Sequence, residues 1–585
     1  MSESSLPATP RGGEFLLAET APEQVFIPES LSAEARLMAK TMEEFLRKEV
    51  LPVNRALEAQ EPGLMPALIQ KAGSLGLLAG GVPEAYGGLA LPKSALALLT
   101  EKAALHLSFA ISISVHSGVA TLPLLYFGTP EQKQRYLPSL ATGERIGAFA
   151  LSEANCGSDA LSAQTKATLA ADGAHYLLNG TKMWTTNGGF ADLFTVFAKV
   201  DGEALTAFLV ERETPGVSLG GEEHKMGLHG SSTRRILFQD APIPSANVLG
   251  EVGKGHRPAL YALNVGRFNI GVTALGAAKE CLRMAARYAQ QRVQFGQPIV
   301  HFGLIQHKLG EMAVRLFVLE SMVYRTAGCW DGALDDSGAV SAEAERLRAA
   351  SEEYAIESAL LKFFGTEVLD HVVDESLQIH GGYGYSEEFP IAQMYRDARV
   401  FRIFEGTNEI NRLAVLDQLL RRARTGRLPL QQALTSSSDL LVDSAMQTDG
   451  DPLAAIGLQV RQIRATILHT LGVGWEILSE HLTEQQEVAA ALADMIAALY
   501  AMESSWLRLR KLGNAAPPSA LAAVQVYGDT ACAQVAQAAR TALAALTSGG
   551  AHGGSLPAFP STLLDTIAQR RQVAVAVLER EGYPW

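Results

Sequence analysis

The stretch Tyr395–Arg412 concentrates groups able to do chemistry. One carboxylate, Glu405, stands between Phe404 and the turn-former Gly406, and three arginines, Arg396, Arg399 and Arg402, precede it. An acid in apolar surroundings, beside a tight turn and near cations, is how a protein builds a general base with a tuned pKa. Most glutamates are only solvated, and Glu409 reads that way; Glu405 differs by its setting in Phe404-Glu-Gly-Thr407-Asn408, where the glycine lets the chain pass close to a ligand.

Four other segments carry polar or aromatic groups worth weighing. Phe149-Ala-Leu-Ser152-Glu153-Ala-Asn-Cys-Gly157-Ser158-Asp159 leaves a strand and turns, and on spacing alone is a polar loop. In Trp184-Thr185-Thr186 the tryptophan reads first as core, yet beside two hydroxyls it could stack on a flat ring. Arg292-Val-Gln-Phe295-Gly296 fits a helix C-cap, a cation in the last turn and then Gly, as well as it fits a site. Gln378-Ile-His-Gly381-Gly382 is a helix stop, and Arg267 reads as a solvated helix residue.

The elements that must position these groups follow an α–β–α order. Residues 1–28 read as an irregular arm. A helix is predicted from Ser32 to just before Pro52, with Ala35, Met38, Met42 and Phe45 on one face. Helical segments continue through Ser94–Leu107, Ile111–Phe127 and Pro130–Ala141. From Ile146 to about Gly250 short strands dominate: Gly147–Leu151, Tyr176–Leu178, Lys182–Thr186, Leu193–Val200, Leu205–Glu211 and Arg235–Gln239. Asn179-Gly180 between two of them is a hairpin signal. Long helical periods return over Leu260–Arg292, Leu304–Trp330 and Ala342–Ile379, with Gly266, Gly271 and Gly276 allowing close approach along the first. Linker-like stretches, Thr435–Pro452 and Ser548–Pro560, flank further helices. In these, Leu453, Ile456, Val460, Ile463, Ile467 and Leu471 recur at helical spacing, and Glu487–Leu512 is apolar on most faces. The expected fold class is α+β: an arm (1–30), an N-terminal helical domain (31–145), a small antiparallel β domain (146–255), a four-helix bundle (256–430) and a helical extension (431–585). No strand–GxGxxG–helix unit supports a doubly wound nucleotide site.

The chain has 585 residues, 48% of them hydrophobic and 19% charged, enough for several cores. A net charge of −13 argues against nucleic acid as a partner. The four cysteines, Cys156, Cys281, Cys329 and Cys532, have no metal or redox spacing, so neither disulfides nor a metal site is expected. The first twenty residues lack a secretory or transit pattern, and no apolar run reads as a membrane span, so a soluble cytoplasmic protein is expected.

From about Pro83 to Leu420 these motifs, in this order, resemble the acyl-CoA dehydrogenases, FAD-dependent enzymes that desaturate acyl-CoA thioesters. The resemblance implies that Glu405 removes the α-proton while hydride passes from the β-carbon to the flavin. Some relatives carry the base one residue before the arginine matching Arg267; here that residue is Gly266, which leaves Glu405. A glutamate titrating near ~4.3 in water is expected to rise toward neutrality when acyl chain and flavin desolvate it. The resemblance further implies that Phe149, Leu151, Ser152, Gly157 and Ser158 wrap the flavin, that Trp184 stacks on it with Thr185 and Thr186 beside it, and that Thr407 and Asn408 donate to its phosphates. Arg292, Phe295, Gln378, Gly381 and Gly382 would reach the FAD of a neighbouring subunit. Ser158, Asn264, Arg267, Phe404 and Gly406 would line the acyl-CoA, with Ile111 and Val115 flooring a deep acyl pocket. The extension is similar to that of the very-long-chain branch. It implies a long-chain substrate, a homodimer rather than a homotetramer, and weak membrane association, while the family resemblance implies an electron-transfer flavoprotein as acceptor. An oxygen-using acyl-CoA oxidase and a scaffold protein of the same fold are the alternatives.

Overall fold

The computed structural model describes residues 9–336, 343–435, 450–547 and 564–585, and they form two compact units. The expected linkers Thr435–Pro452 and Ser548–Pro560 lie almost wholly outside the described residues.

One unit comprises Leu31–Ala277 and Ser337–Glu352. Its first helix, Ala33–Phe45, starts where the sequence predicts: the Ser32 hydroxyl accepts the Ala35 N–H at 3.1 Å. Ala35, Met42 and Phe45 are buried, the last two in a core with Leu46, Leu68, Ile69, Phe109 and Ile113. The segment expected as one helix over Ile111–Phe127 breaks. A helix Leu107–Ser114 passes into a π-turn, Val115–Ala120, and then a helix Leu122–Phe127. Buried His116 sits in that turn. Its Nδ1 accepts the Gly147 N–H at 3.0 Å, so its proton is on Nε2, which donates to the Leu140 carbonyl at 2.9 Å. The imidazole thus ties the turn to the helix Pro130–Ala141 and to the first strand.

That strand, β1 (Gly147–Ala150), belongs to an eight-stranded sheet with β2 (Lys166–Leu169), β3 (His175–Thr186), β4 (Leu193–Val200), β5 (Ala204–Glu211), β6 (Val217–Glu222), β7 (Thr233–Pro244) and β8 (Val248–Leu249). The order is β6-β7-β3-β2-β4-β5-β8, with β1 added beside β4. β1 and β2 both run parallel to β4, so the sheet is mixed and not purely antiparallel as expected. Asn179-Gly180 is no hairpin turn: β3 runs through it, and the register against β7 shifts there. Gly180, at φ 149°, lies against Thr165, where a Cβ would come within 2.6 Å of the hydroxyl. A bulge and a tight turn ask for the same residue types, which is why the pattern misleads. The turn before β3 uses Asp172-Gly173 instead, with the Asp172 carboxylate accepting the Ala174 N–H at 2.9 Å. Of the three glycines expected to allow close approach, Gly276 does so visibly: a Cβ there would lie 2.1 Å from the Glu101 carbonyl.

The other unit comprises Met1–Ser30, Ala278–Asp336 and Glu353–Trp585. The arm, the second part of the bundle and the extension group together in this unit. The segment expected over Ala342–Ile379 divides into helices Glu343–Glu353 and Ala355–His380 at Tyr354. The extension contributes Pro452–Leu478, Gln486–Leu512, Pro518–Thr547 and Thr566–Glu579. The arm is not loose: Phe15 and Leu16 are buried, and the Phe15 ring lies 4.7 Å from that of Tyr500. Glu503, fully buried, pairs with Arg325 at 2.8 Å and Arg464 at 2.5 Å. Two stretches, Leu107–Phe127 and Gln486–Ala515, are long and apolar enough to cross a membrane, contrary to expectation, but 78% and 83% of their most apolar 18-residue windows are buried inside the fold.

Two outcomes are expected. Burial depresses the His116 pKa to about 4, with the bond to Leu140 opposing it. The folded value lies below the free one, so the unfolded chain takes the proton first. Stability is complete above about pH 6.5 and falls by up to ~3 kcal/mol as pH drops toward 4. Urea unfolding across that range should show the slope, and His116→Gln should reduce it by about one proton; an unchanged slope in the variant would assign the loss to other groups. Glu503→Gln should cost roughly 3–5 kcal/mol, because it leaves two buried guanidinium groups without their shared anion; an unaltered unfolding midpoint would contradict this.

Candidate active site

Glu405 lies between a helix, Pro390–Ala398, extended by a turn Arg399–Arg402, and the helix Asn408–Arg424. Thr407 caps the second helix, its hydroxyl accepting the Ile410 N–H at 3.3 Å. Glu405 and Gly406 have φ of 55° and 81°, two successive left-handed residues. For a non-glycine residue that conformation costs about 1–2 kcal/mol and persists only where the surroundings impose it. Here the Gly406 carbonyl accepts from Lys362 Nζ at 2.6 Å and from Asn411 Nδ2 at 2.8 Å, and Asn411 also donates to the Thr407 carbonyl at 3.0 Å. Glu405 Oε2 is shielded from solvent, and the Phe404 ring packs 5.1 Å from Phe401. Arg396 and Arg402 pair with Glu387 and Asp370, so they brace neighbouring elements.

Asn408 is a correction. It was expected to donate to a phosphate, but its side chain is buried inside its own unit. The amide oxygen accepts from Lys362 at 2.8 Å and Thr366 at 3.2 Å, and the amide nitrogen donates to Thr366 at 3.0 Å and Glu367 at 3.1 Å. All its capacity is spent within the fold.

In the β-containing unit, Phe149 is half-buried against Phe197 at 5.1 Å, Leu151 is buried, Ser152 is half-buried, and Gly157 and Ser158 are exposed. The loop they form is anchored by a pair that sequence reasoning missed. Lys182, fully buried, donates to the Leu151 carbonyl at 3.0 Å and to Glu153 at 2.6 Å, and Glu153 also accepts the Gln164 and Thr165 N–H groups. Burial pushes the Glu153 carboxyl up, but bonds from Lys182 and Thr165 outweigh it and hold the pKa below its ordinary value. Burial holds Lys182 below its ordinary value against the pull of Glu153. A lysine at an inward position of a strand was the signal available. Two residues on, Trp184 is 56% exposed at φ 57°, where the β3–β7 register shifts again. It is therefore not core. Thr186, half-buried, shares its side of the strand. Thr185 is a second correction: it points inward, 1% exposed, with its hydroxyl unpartnered among the described residues.

Ile111 is buried, and Val115 is half-buried at the start of the π-turn. Arg267 and Asn264 meet on one helix face at 3.4 Å, and Asn264 also donates to the Ser351 carbonyl.

In the helical unit, Arg292-Val-Gln-Phe295-Gly296 is not a C-cap. Val293–Gln294 and Gln297–Pro298 pair as a small hairpin, with Phe295 and Gly296 at φ 53° and 79° forming its two-residue turn. Phe295 at the tip is 93% exposed. The Arg292 guanidinium lies 5.2 Å from the ring of Tyr383, just past the helix stop at His380. That contact brings the hairpin base beside exposed Gln378, Gly381 and Gly382, and no atom would obstruct a Cβ at either glycine. In one unit an exposed tryptophan with a hydroxyl on its side of the strand suits a flat ring, and in the other an arginine and a phenylalanine beside open backbone suit a ring or a phosphate.

Family models for the acyl-CoA dehydrogenase N-terminal domain, middle domain and C-terminal domain match residues 32–144, 148–241 and 253–420. A further acyl-CoA dehydrogenase C-terminal domain model matches 462–556. A probable acyl-CoA dehydrogenase of Bacillus subtilis (strain 168) is 41% identical, with 98% of both chains aligned. The very long-chain specific acyl-CoA dehydrogenase of Homo sapiens is 39% identical over 64% of this chain and 57% of its own length. The crystal structure of an acyl-CoA dehydrogenase from Bacillus anthracis, solved as a complex with FAD, superposes with a TM-score of 0.95 at 42% identity, covering 98% of this chain and 100% of that one. The chain belongs to the acyl-CoA dehydrogenase family, oxidoreductases that act on acyl-CoA with FAD as cofactor.

Proposed function

We propose that this protein is an FAD-dependent dehydrogenase of long-chain acyl-CoA in fatty acid β-oxidation, with Glu405 as its base. The observation that carries the reading is the Glu405–Gly406 turn: a left-handed residue with one carboxylate oxygen shielded from water, followed by a backbone carbonyl, that of Gly406, held by a lysine and an asparagine. A proton α to a thioester is weakly acidic. It becomes removable when a positioned base meets it while the carbonyl oxygen is hydrogen-bonded. Glu405 takes that proton, and its own backbone N–H polarises the thioester carbonyl. When bound, FAD supplies the acceptor for the hydride leaving the β-carbon. Trp184, Thr186, Ser152 and Ser158 hold the cofactor in one subunit. Arg292, Phe295, Gln378, Gly381 and Gly382 reach it from a second copy, a role suited to a hairpin tip as exposed as Phe295. The protein then works as a homodimer and passes its electrons to an electron-transfer flavoprotein.

The long-chain preference rests on apolar Ile111 and Val115 at the pocket floor. The similarity to the human very-long-chain enzyme covers 64% of this chain. Anaerobic titration of the yellow protein with acyl-CoAs of graded length tests the reading. Each methylene buried in an apolar pocket should raise kcat/KM roughly fourfold, the equivalent of ~0.8 kcal/mol, until the pocket is full; a maximum at four carbons would overturn the preference. Glu405→Gln should keep the flavin spectrum and lose its bleaching by at least about 10³-fold; bleaching at the wild-type rate would overturn the base.

A further inference from the structure

The turn at Glu405 is the end of a longer polar chain. Lys362, fully buried on the helix Ala355–His380, donates to the Gly406 carbonyl and to the Asn408 amide oxygen. The Asn408 amide nitrogen donates to Glu367 Oε1 at 3.1 Å. Glu367 takes both arms of the Arg412 guanidinium, at 2.8 and 3.0 Å. Arg412 Nε reaches Asp494 at 2.7 Å, and its guanidinium lies 4.4 Å from the Phe363 ring. Asp494 belongs to Gln486–Leu512, a helix of the extension. The charges alternate along the path, Lys362 positive, Glu367 negative, Arg412 positive and Asp494 negative. The planar fork and the ring leave Arg412 little rotational freedom.

We infer that the extension positions the catalytic base: Asp494 orients Arg412, Arg412 orients Glu367, and Glu367 with Lys362 locks Asn408 and the Glu405–Gly406 turn. Lys362 and Asp494 are positioning residues, since the chain acts on Glu405 only through the backbone. A base displaced by about an ångström from its proton loses up to ~10²-fold in rate, so the lock is read in the chemical step. The inference rests on Glu405 being the base.

The test is stopped-flow reduction of the flavin by acyl-CoA, expressed per bound flavin, in the full-length holoenzyme. Lys362→Met should slow the step about 10- to 100-fold with KM within about twofold. Asp494→Ala, at a half-exposed position that folding tolerates, should slow it about two- to fivefold, and Asp494→Glu should restore it. Lower flavin content with a normal rate per flavin would mean plain structural support and would overturn the inference, as would a normal rate in either Lys362→Met or Asp494→Ala. Glu405→Gln run alongside separates the two failures. If it still reduces flavin, the base assignment falls; if it is inactive while Lys362→Met is normal, only the positioning chain falls.

Discussion

Glu405 presents its carboxylate from a backbone conformation that an L-residue avoids, and much of the helical unit around it serves to keep it there. Left to itself the turn would relax, and the carboxylate would swing with it. Three neighbouring carbonyls, of Glu405, Gly406 and Thr407, accept from Asn411, and the middle one also accepts from Lys362. Gly406 takes the second left-handed position without a Cβ penalty. The helix that follows is capped by Thr407, so the exit of the turn is fixed as firmly as its entry.

The β-containing unit solves a similar problem in a similar way. Its loop from Leu151 to Ser158 leaves Gly157 and Ser158 exposed, and a fully buried lysine, Lys182, binds the Leu151 carbonyl from behind. In each unit, then, an ammonium group inside the fold grips the backbone of an irregular turn or loop. A buried lysine is costly to desolvate. Its three donors can hold a carbonyl and a side-chain acceptor together, which a neutral residue with one donor cannot do. Carboxylates complete both arrangements, Glu153 directly and Glu367 through Asn408.

What could be read from the sequence was what is local. The tight turn at Glu405-Gly406 was legible from its glycine, and the helical periods of Ala33–Phe45 and Pro452–Leu478 gave the buried faces found in the fold. Misreadings arose where one residue type serves two geometries. Asn179-Gly180 suits a hairpin and a bulge equally, and Phe295-Gly296 behind an arginine suits a C-cap and a hairpin tip. Asn408 and Thr185 are polar residues next to a site, and only the direction of the side chain shows that they face the interior. The longer links could not be read at all. Arg412 and Asp494 lie 82 residues apart, and nothing in either neighbourhood names the other.

The helix Gln486–Leu512 shows why such links matter. By composition it could cross a membrane, yet it carries Asp494, Glu503 and Arg508. At ~100° per residue, Asp494 and Glu503 lie on opposite sides of it. Asp494 meets Arg412 on the helix beginning at Asn408, while Glu503 meets Arg325 on Gly303–Asp336 and Arg464 on Pro452–Leu478. Arg508 meets Glu29 of the arm and Glu320. Apolar contacts are non-directional, so they specify the register of this helix less sharply than paired charges do. Three charges with partners in different directions hold it, because a shift of one turn would strand all of them at once, Glu503 and Arg508 in the dry interior. The apolar surface supplies the drive to bury the helix; the charges fix its register, and that register sets where Asp494 stands relative to Arg412 and Glu367.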